Sequence, residues 1–306
     1  MKAIVIGGAG FIGSHLVEEL LEQRHSVVVM DNLSSGKRSI HGAEELLYDY
    51  GDSRYCHPDN FEDVDVIFYL ATKAGQPSVV QASINNPERF NEENVGGFLR
   101  ILNIASKRRI PIVFSSSSAV YGSATEPMSE DSEIHCMSPY ALQKLICELY
   151  LALFNEIHGL PSVALRYFNV FGEGQPNGGT YATVIGKFLE SARHGMPFVS
   201  IGTNGQKRDF VYVGDVVQAN IKAAEALFNG KIKFSILNVG SGKNYSVSEI
   251  ADIVTGNKTV WGERLPARLE PMETLADVSK IRKLLNWKPT IDLKSWLEQV
   301  RDSMAP

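Results

Sequence analysis

The position of the first glycines constrains this chain more than any other feature. Lys2–Ile6 (KAIVI) is a β-branched apolar run, and Gly7, Gly10 and Gly13 follow it directly, where the helical pattern of Phe11–Gln23 begins. A strand, a glycine turn and a helix in immediate succession form the first half of a βαβ unit. The first glycine permits the tight turn, the second lets backbone approach a pyrophosphate, and the third allows close helix–strand packing. The helix start, Phe11 and Ile12 included, then turns its partial positive charge toward the phosphates. Asp31 closes the second apolar run, Ser26–Met30, 18 residues after Gly13. An acid there bonds the adenosine ribose hydroxyls and repels a 2′-phosphate, which favours NAD over NADP.

Further runs at Val64–Leu70, Pro111–Phe114 and Ser162–Tyr167 predict buried parallel strands, with a weaker one at Leu46–Tyr50. Helical stretches such as Phe98–Lys107 and Pro139–His158 lie between them. This alternation predicts an α/β fold built on a doubly wound parallel sheet. After Gly172 the texture changes. A Gly/Pro-rich stretch leads to a helix over Tyr181–His194, short strands at Phe198–Ile201, Asp209–Val213 and Ile236–Val239, and helices at Val247–Val254, Val278–Leu285 and Leu293–Ser303. The expected division is a dinucleotide-binding domain of 1–168 plus 213–240. A smaller interleaved α/β substrate lobe takes 169–212 plus 241–306.

Composition narrows the class. The 306 residues are 44% hydrophobic and 21% charged with a net charge of −5, so no chain-wide basic field exists for nucleic acid. No apolar run approaches the roughly 18 residues of a membrane span, and the N-terminus reads as a strand and not as a signal peptide. Cys56, Cys136 and Cys147 are odd in number and lack CxxC spacing, which suits a reducing cytoplasm and argues against zinc or disulfides. The histidines, His15, His25 and His41 among them, show no metal-ligand spacing.

Tyr140 and Lys144 stand at i and i+4 of a predicted helix and project from one face. A nearby ammonium favours tyrosinate, as would the positive nicotinamide ring, and this makes Tyr140 a base for a sugar hydroxyl. Upstream, Ser115–Ser118 end a predicted strand, on the side of the sheet where ligands of such folds bind. A serine hydroxyl there can share a proton with Tyr140.

With these residues in view, the chain resembles the extended short-chain dehydrogenase/reductases, specifically the NAD-dependent sugar-nucleotide epimerases and dehydratases, whose sheet is of the Rossmann type. The resemblance spans Gly7–Gly13, Asp31–Gly36 (DNLSSG), Gly51-Asp52, Leu70-Ala71, Asn94-Val95, Ser115–Gly122, Ser138–Tyr140 with Lys144, Leu165–Gly172 (LRYFNVFG), Gln206–Val213 (QKRDFVYV) and Ala276–Lys280 (ADVSK). It implies that Tyr140 is the catalytic base, that Lys144 lowers its pKa and holds the nicotinamide ribose, and that Ser117 bonds the substrate hydroxyl. Around NAD it implies Asn32, Ser35 and Gly36 beside Asp31, Asp52 and Ser53 at adenine, and Leu70, Ala71, Asn94, Ser115 and Tyr167. For a UDP-sugar substrate it implies Arg208 and Arg268 on the diphosphate, Asn169 near it, and Tyr181 and Ala182 on an acetamido side. A guanidinium suits the diphosphate because its donors form a planar fork.

The same resemblance separates chemistries. Family dehydratases carry an acidic pair just before Val-Tyr-Gly, and decarboxylases a Glu, where this chain has Ser118 and Ala119. Inversion at C4 through a 4-keto sugar is therefore the expected reaction, ahead of a 4,6-dehydratase, a decarboxylase, a glucuronate 4-epimerase or a non-catalytic NAD(H) sensor. Thr274, three residues before Asp277, stands where a bulky tyrosine resembles the glucose-restricted enzymes and a small residue those admitting an N-acetyl group. The family also implies a homodimer through two helices, around 94–107 and 140–158, with Leu145, Leu149 and Leu153 spaced at four. Three departures stand out: Gln143 replaces a usual serine, Gly97 a usual threonine, and the loop from Ala71 through Lys73 to Gly75 is long.

Overall fold

The computed structural model describes residues 1–34, 42–47, 57–72, 79–176, 184–196, 205–255 and 271–304. The first half runs β1 (Lys2–Ile6), α1 (Phe11–Glu22), β2 (Ser26–Asp31), β3 (Glu44–Leu47), β4 (Val66–Tyr69), α2 (Val79–Asn85), α3 (Pro87–Asn91), a π-helical turn (Glu92–Gly96), α4 (Gly97–Arg108), β5 (Ile112–Ser117), a 3-10 turn (Ser118–Tyr121), α5 (Pro139–His158) and β6 (Ser162–Tyr167). Then follow β7 (Asn169–Phe171), α6 (Val184–Arg193), β8 (Lys207–Tyr212), α7 (Val213–Phe228), β9 (Phe234–Val239), β10 (Asn244–Ser246), α8 (Val247–Thr255), α9 (Ser279–Leu285) and α10 (Leu293–Met304).

Seven strands form one sheet in the order β3-β2-β1-β4-β5-β6-β9. Every neighbouring pair is parallel, as the βαβ alternation predicts. The two faces of the strands feed two cores because successive side chains point to opposite sides. Ala3 and Val5 join Leu16, Val216 and Leu237 in one core. Ile4 and Ile6 join Phe98, Phe114 and Leu151 in the other. Burial on both faces explains why these strands read as continuous apolar runs.

A three-stranded sheet, β10-β8-β7, belongs to a third core with α6, α8 and α10, centred on Phe171, Phe188, Ile250 and Trp296. Ala276, Val278, Ile281, Leu285 and Trp287 sit in the same core as β1, β6 and β9, so the chain crosses back to the large sheet before α10.

Two boundary differences bear on the site. The run read as ending at Phe114 continues through Ser117, because Ser115, Ser116 and Ser117 pair with Leu165, Arg166 and Tyr167 of β6. Polar side chains hid that extension. The run read as Asp209–Val213 begins at Lys207, and Val213 already starts α7. Of the weak strand expected at Leu46–Tyr50, Leu46 and Leu47 belong to β3, and 48–50 lie outside the described residues. The strand expected at Phe198–Ile201 lies outside the described residues. Among the described residues, no helix is long and apolar enough to cross a membrane.

Candidate active site

The glycine turn shows why no other residue serves there. Gly7 has φ +84°, and a Cβ on it would lie 2.7 Å from the Ala71 nitrogen just beyond β4. A Cβ on Gly13 would fall 2.1 Å from the Gly7 oxygen, so α1 approaches the turn closely only with glycine there. Gly10 precedes α1 with no side-chain cap, and the first turn of α1 carries no acid. The helix start therefore keeps its N–H groups and partial positive charge for an anion. Asp31 ends β2 and reaches the same turn. Its Oδ2 accepts from Ala9 N at 3.0 Å and its Oδ1 from Leu33 N at 2.8 Å. Asn32 Oδ1 accepts from Ser34 N at 3.1 Å, which shapes the following bend. Leu70 N donates to Ile6 O at 2.8 Å and brings Leu70-Ala71 alongside the turn. A glycine cradle that side chains would fill, with an acid at its rim, fits a dinucleotide whose ribose carries free hydroxyls.

The catalytic candidates meet where β5 ends against α5. Ser138 caps α5, its Oγ accepting from Ala141 N, and Pro139 occupies the first turn. Ser83 of α2 accepts from Tyr140 N at 3.1 Å and fixes the helix start. Tyr140 is thereby held with its phenol beside Ser117. Burial pushes the Tyr140 pKa up, and the Ser117 hydroxyl opposes that rise. Lys144 is buried, donating to Ser115 O at 2.6 Å and Thr72 Oγ1 at 2.8 Å. Burial lowers its pKa to about 8, against the opposing influence of Cys147 and Glu148.

Lys144 and Tyr140 share one face of α5. The Lys144 ammonium is committed to Ser115 and Thr72 and lies 5.9 Å from the centre of the Tyr140 ring, while burial of the phenol dominates its pKa.

Other expected residues are distributed as follows. Asn94 is buried in the π-helical turn, where its Nδ2 donates to Gln143 Oε1 at 2.8 Å. One of its amide N–H groups thus ties this turn to α5. Tyr167 is also buried, and its hydroxyl donates to Asn220 Oδ1 of α7 at 2.9 Å. Asn169 is exposed at the start of β7, with its Nδ2 donating to Asp209 O. Arg208 folds one guanidinium nitrogen back onto the Lys207 and Met272 carbonyls. Thr274 is buried, and its Oγ1 accepts from Asp209 N at 3.3 Å. Ser35, Gly36, Asp52, Ser53, Lys73, Tyr181, Ala182 and Arg268 lie outside the described residues.

Two organising groups escaped the sequence. The buried Asp209 carboxylate accepts from Ser241 N and Oγ, Gly242 N and Ala276 N, while its own backbone serves Asn169 and Thr274. It thus ties three candidate substrate residues, Asn169, Arg208 and Thr274, to the end of β9. The second is Glu148, gripped by Arg166 inside the fold. An acid directly before the apolar Phe-Val-Tyr run and an arginine inside Ser162–Tyr167 were the available signals, since charges inside buried strands need partners.

The model of the NAD dependent epimerase/dehydratase family matches residues 3–240. A protein of Methanocaldococcus jannaschii, provisionally named a UDP-glucose 4-epimerase, is 38% identical over 305 residues, covering 97% of this chain and 96% of that one. A UDP-N-acetyl-alpha-D-glucosaminuronate decarboxylase of Bacillus cytotoxicus is 32% identical over 325 residues, covering 99% of this chain and 96% of that one. Among solved structures, the UDP-N-acetylglucosamine 4-epimerase of Methanobrevibacter ruminantium M1, in complex with UDP-N-acetylmuramic acid, superposes with a TM-score of 0.88 at 34% identity, covering 99% and 96% of the two chains.

Proposed function

This chain belongs to the NAD dependent epimerase/dehydratase family, and from that membership we propose that it is a UDP-hexose 4-epimerase working through a transient 4-keto sugar. Its preferred pair is UDP-N-acetylglucosamine and UDP-N-acetylgalactosamine, with UDP-glucose and UDP-galactose also accepted. NAD bound there would supply the acceptor and then the donor of the C4 hydride. The Gly7–Gly13 turn and the start of α1 would hold its phosphates, and Asp31 its adenosine ribose. Tyr140 removes the C4 hydroxyl proton and gives it back after the ketone has turned over in the pocket. Ser117 holds that phenol and the substrate hydroxyl in one line. Lys144 supplies donors for the nicotinamide ribose next to the Ser115 carbonyl.

The observation that carries this reading is the meeting of Ser117, Tyr140 and Lys144 beside a turn with no acid. Ser118 and Ala119 start the 3-10 turn directly after Ser117. The nearby Glu148 carboxylate is engaged by Arg166 and Ser116, and Glu130 accepts from Asn238 N. Neither is offered to a substrate for elimination or decarboxylation, which disfavours the chemistry named for the Bacillus relative. Proton NMR of the protein incubated with a panel of UDP-hexoses tests the reading. Formation of the C4 epimer supports it; a 4-keto-6-deoxy or decarboxylated product rejects it.

Thr274 supports the N-acetylated pair, being small where the glucose-restricted enzymes resembled above carry a tyrosine. Thr274→Tyr should reduce turnover of the N-acetylated pair far more than that of UDP-galactose, and an equal loss on both refutes the pocket assignment. Because Thr274 also accepts from Asp209 N, the variant's unfolding midpoint should be read alongside its rates.

The partner proposed for the protein is a second copy of itself. Leu142, Leu149, Leu153 and Ile157 form an exposed apolar row along α5, so this stripe does not face the sheet, whereas Leu145 packs inward. Light scattering should give a dimer mass at micromolar concentration, and a monomer mass counts against it.

A further inference from the structure

Three consecutive residues at the end of β5 are stitched to three residues of α5. Ser117 lies beside the Tyr140 phenol, the Ser115 carbonyl accepts from Lys144 Nζ, and Ser116 Oγ donates to Glu148 Oε1. Tyr140, Lys144 and Glu148 are spaced by four and share one helix face. Two of these links belong to the candidate chemistry. The third does not: Ser116 is 2% exposed and faces the buried Glu148–Arg166 pair.

That third link is built with care. Arg166 is the register partner of Ser116 across β5 and β6, and it grips the same carboxylate, Nε to Oε1 at 2.9 Å and Nη2 to Oε2 at 2.7 Å. Its guanidinium lies 4.8 Å from the centre of the Tyr121 ring, and Tyr121 Oη donates to Asn238 Oδ1 of β9 at 2.6 Å. A buried ion pair of this kind adds little net stability over apolar side chains of the same volume, and its attested use is to fix register.

We propose that Ser116, acting with Glu148 and Arg166, is a positioning element that locks the end of β5 against α5 so that Ser117 Oγ meets the Tyr140 phenol. The proposal rests on the assignment of Tyr140 as the base. Ser116 acts through Ser117 and Tyr140, its hydroxyl holding β5 at one depth against the helix. Without that bond the Glu148–Arg166 fork remains, the fold persists, and only the alignment of the reacting pair loosens.

Ser116→Ala tests this in the NAD-loaded full chain, together with Ser116→Thr, Tyr140→Phe and the double variant. The expected result is a kcat lowered about tenfold, the scale on which small misplacements act, with KM for the UDP-hexose changed less than about twofold. Ser116→Thr, which keeps the hydroxyl, should recover most of the rate. In the Tyr140→Phe background Ser116→Ala should cause no further loss. Equal losses in both backgrounds, or a normal kcat in Ser116→Ala, overturn the proposal. A fully active Tyr140→Phe instead overturns the base assignment.

A second readout needs no turnover. The ionisation of Tyr140, followed in the near ultraviolet as the difference from Tyr140→Phe, should move further up in Ser116→Ala, because the Ser117 hydroxyl is what opposes its rise. The groups facing the phenol are Ser117 from β5 and Lys144 from its own helix, while Ser83 of α2 holds its backbone nitrogen. An unchanged ionisation contradicts the proposal.

Discussion

Asn94 Nδ2 donates to Gln143 Oε1 at 2.8 Å, joining the π-helical turn before α4 to the catalytic helix inside the protein. Gln143 Nε2 also reaches the Pro87 carbonyl at 3.5 Å, so one side chain spans from α5 to the start of α3. A serine at 143 is too short for this reach, which gives a physical account of the departure noted in the sequence. Gln143→Ala removes the acceptor of a buried amide, a loss worth about 1–3 kcal/mol. Urea unfolding should show a drop of that size, and a change below about 0.5 kcal/mol would mean that the pair carries no weight.

Tyr140→Phe deletes one hydroxyl and leaves the ring that packs at the start of α5. General base catalysis contributes typically about 10²–10⁴-fold, so turnover should fall by that range while NAD content and the unfolding midpoint stay near those of the unmodified protein. A near-normal rate would refute the role given to Tyr140.

The buried Lys144 predicts a pH dependence with a definite sign. Burial lowers its pKa from 10.5 to about 8. Between those values the unfolded chain holds this proton and the folded chain does not, so the unfolded state binds more protons and stability rises with pH. Below about pH 8 the burial cost is fully present. In nucleotide-free protein, the stability difference between the unmodified chain and Lys144→Met should therefore climb through this window. A flat difference across it would show that Lys144 is not buried as a charge.

Asp31 is held at the glycine turn by Ala9 N and Leu33 N, beside the seat proposed for the adenosine ribose. Calorimetric titration should find NAD+ bound more tightly than NADP+ by about tenfold or more, given a repulsion of a few kcal/mol at close range. Asp31→Ala should narrow the gap and also weaken NAD+ itself, because Ala9 N loses its acceptor. Equal affinities of the unmodified protein for both nucleotides would contradict the assignment.

Much of this arrangement was legible from local pattern. The turn Gly7–Gly13, the acid at Asp31 and the Tyr140/Lys144 pair each declare themselves within one turn or one strand–helix junction. What stayed hidden depends on distant partners. Ser115–Ser117 read as a strand-end turn because nothing local shows that β6 will pair with them. Asp209 bonds Ser241, Gly242 and Ala276, the last of these 67 residues away, and no periodicity forecasts that convergence. The partners that hold Tyr167 and Asn94, Asn220 and Gln143, are likewise 53 and 49 residues distant.

The most direct measurement of the central claim follows a deuterium label at C4 of UDP-N-acetylglucosamine through the reaction by NMR. If Tyr140 moves only the hydroxyl proton and the hydride returns to the carbon it left, UDP-N-acetylgalactosamine should form with the label retained at C4. Loss of the label to solvent, or a labelled substrate that never inverts while another UDP-sugar is dehydrated or decarboxylated, would contradict it.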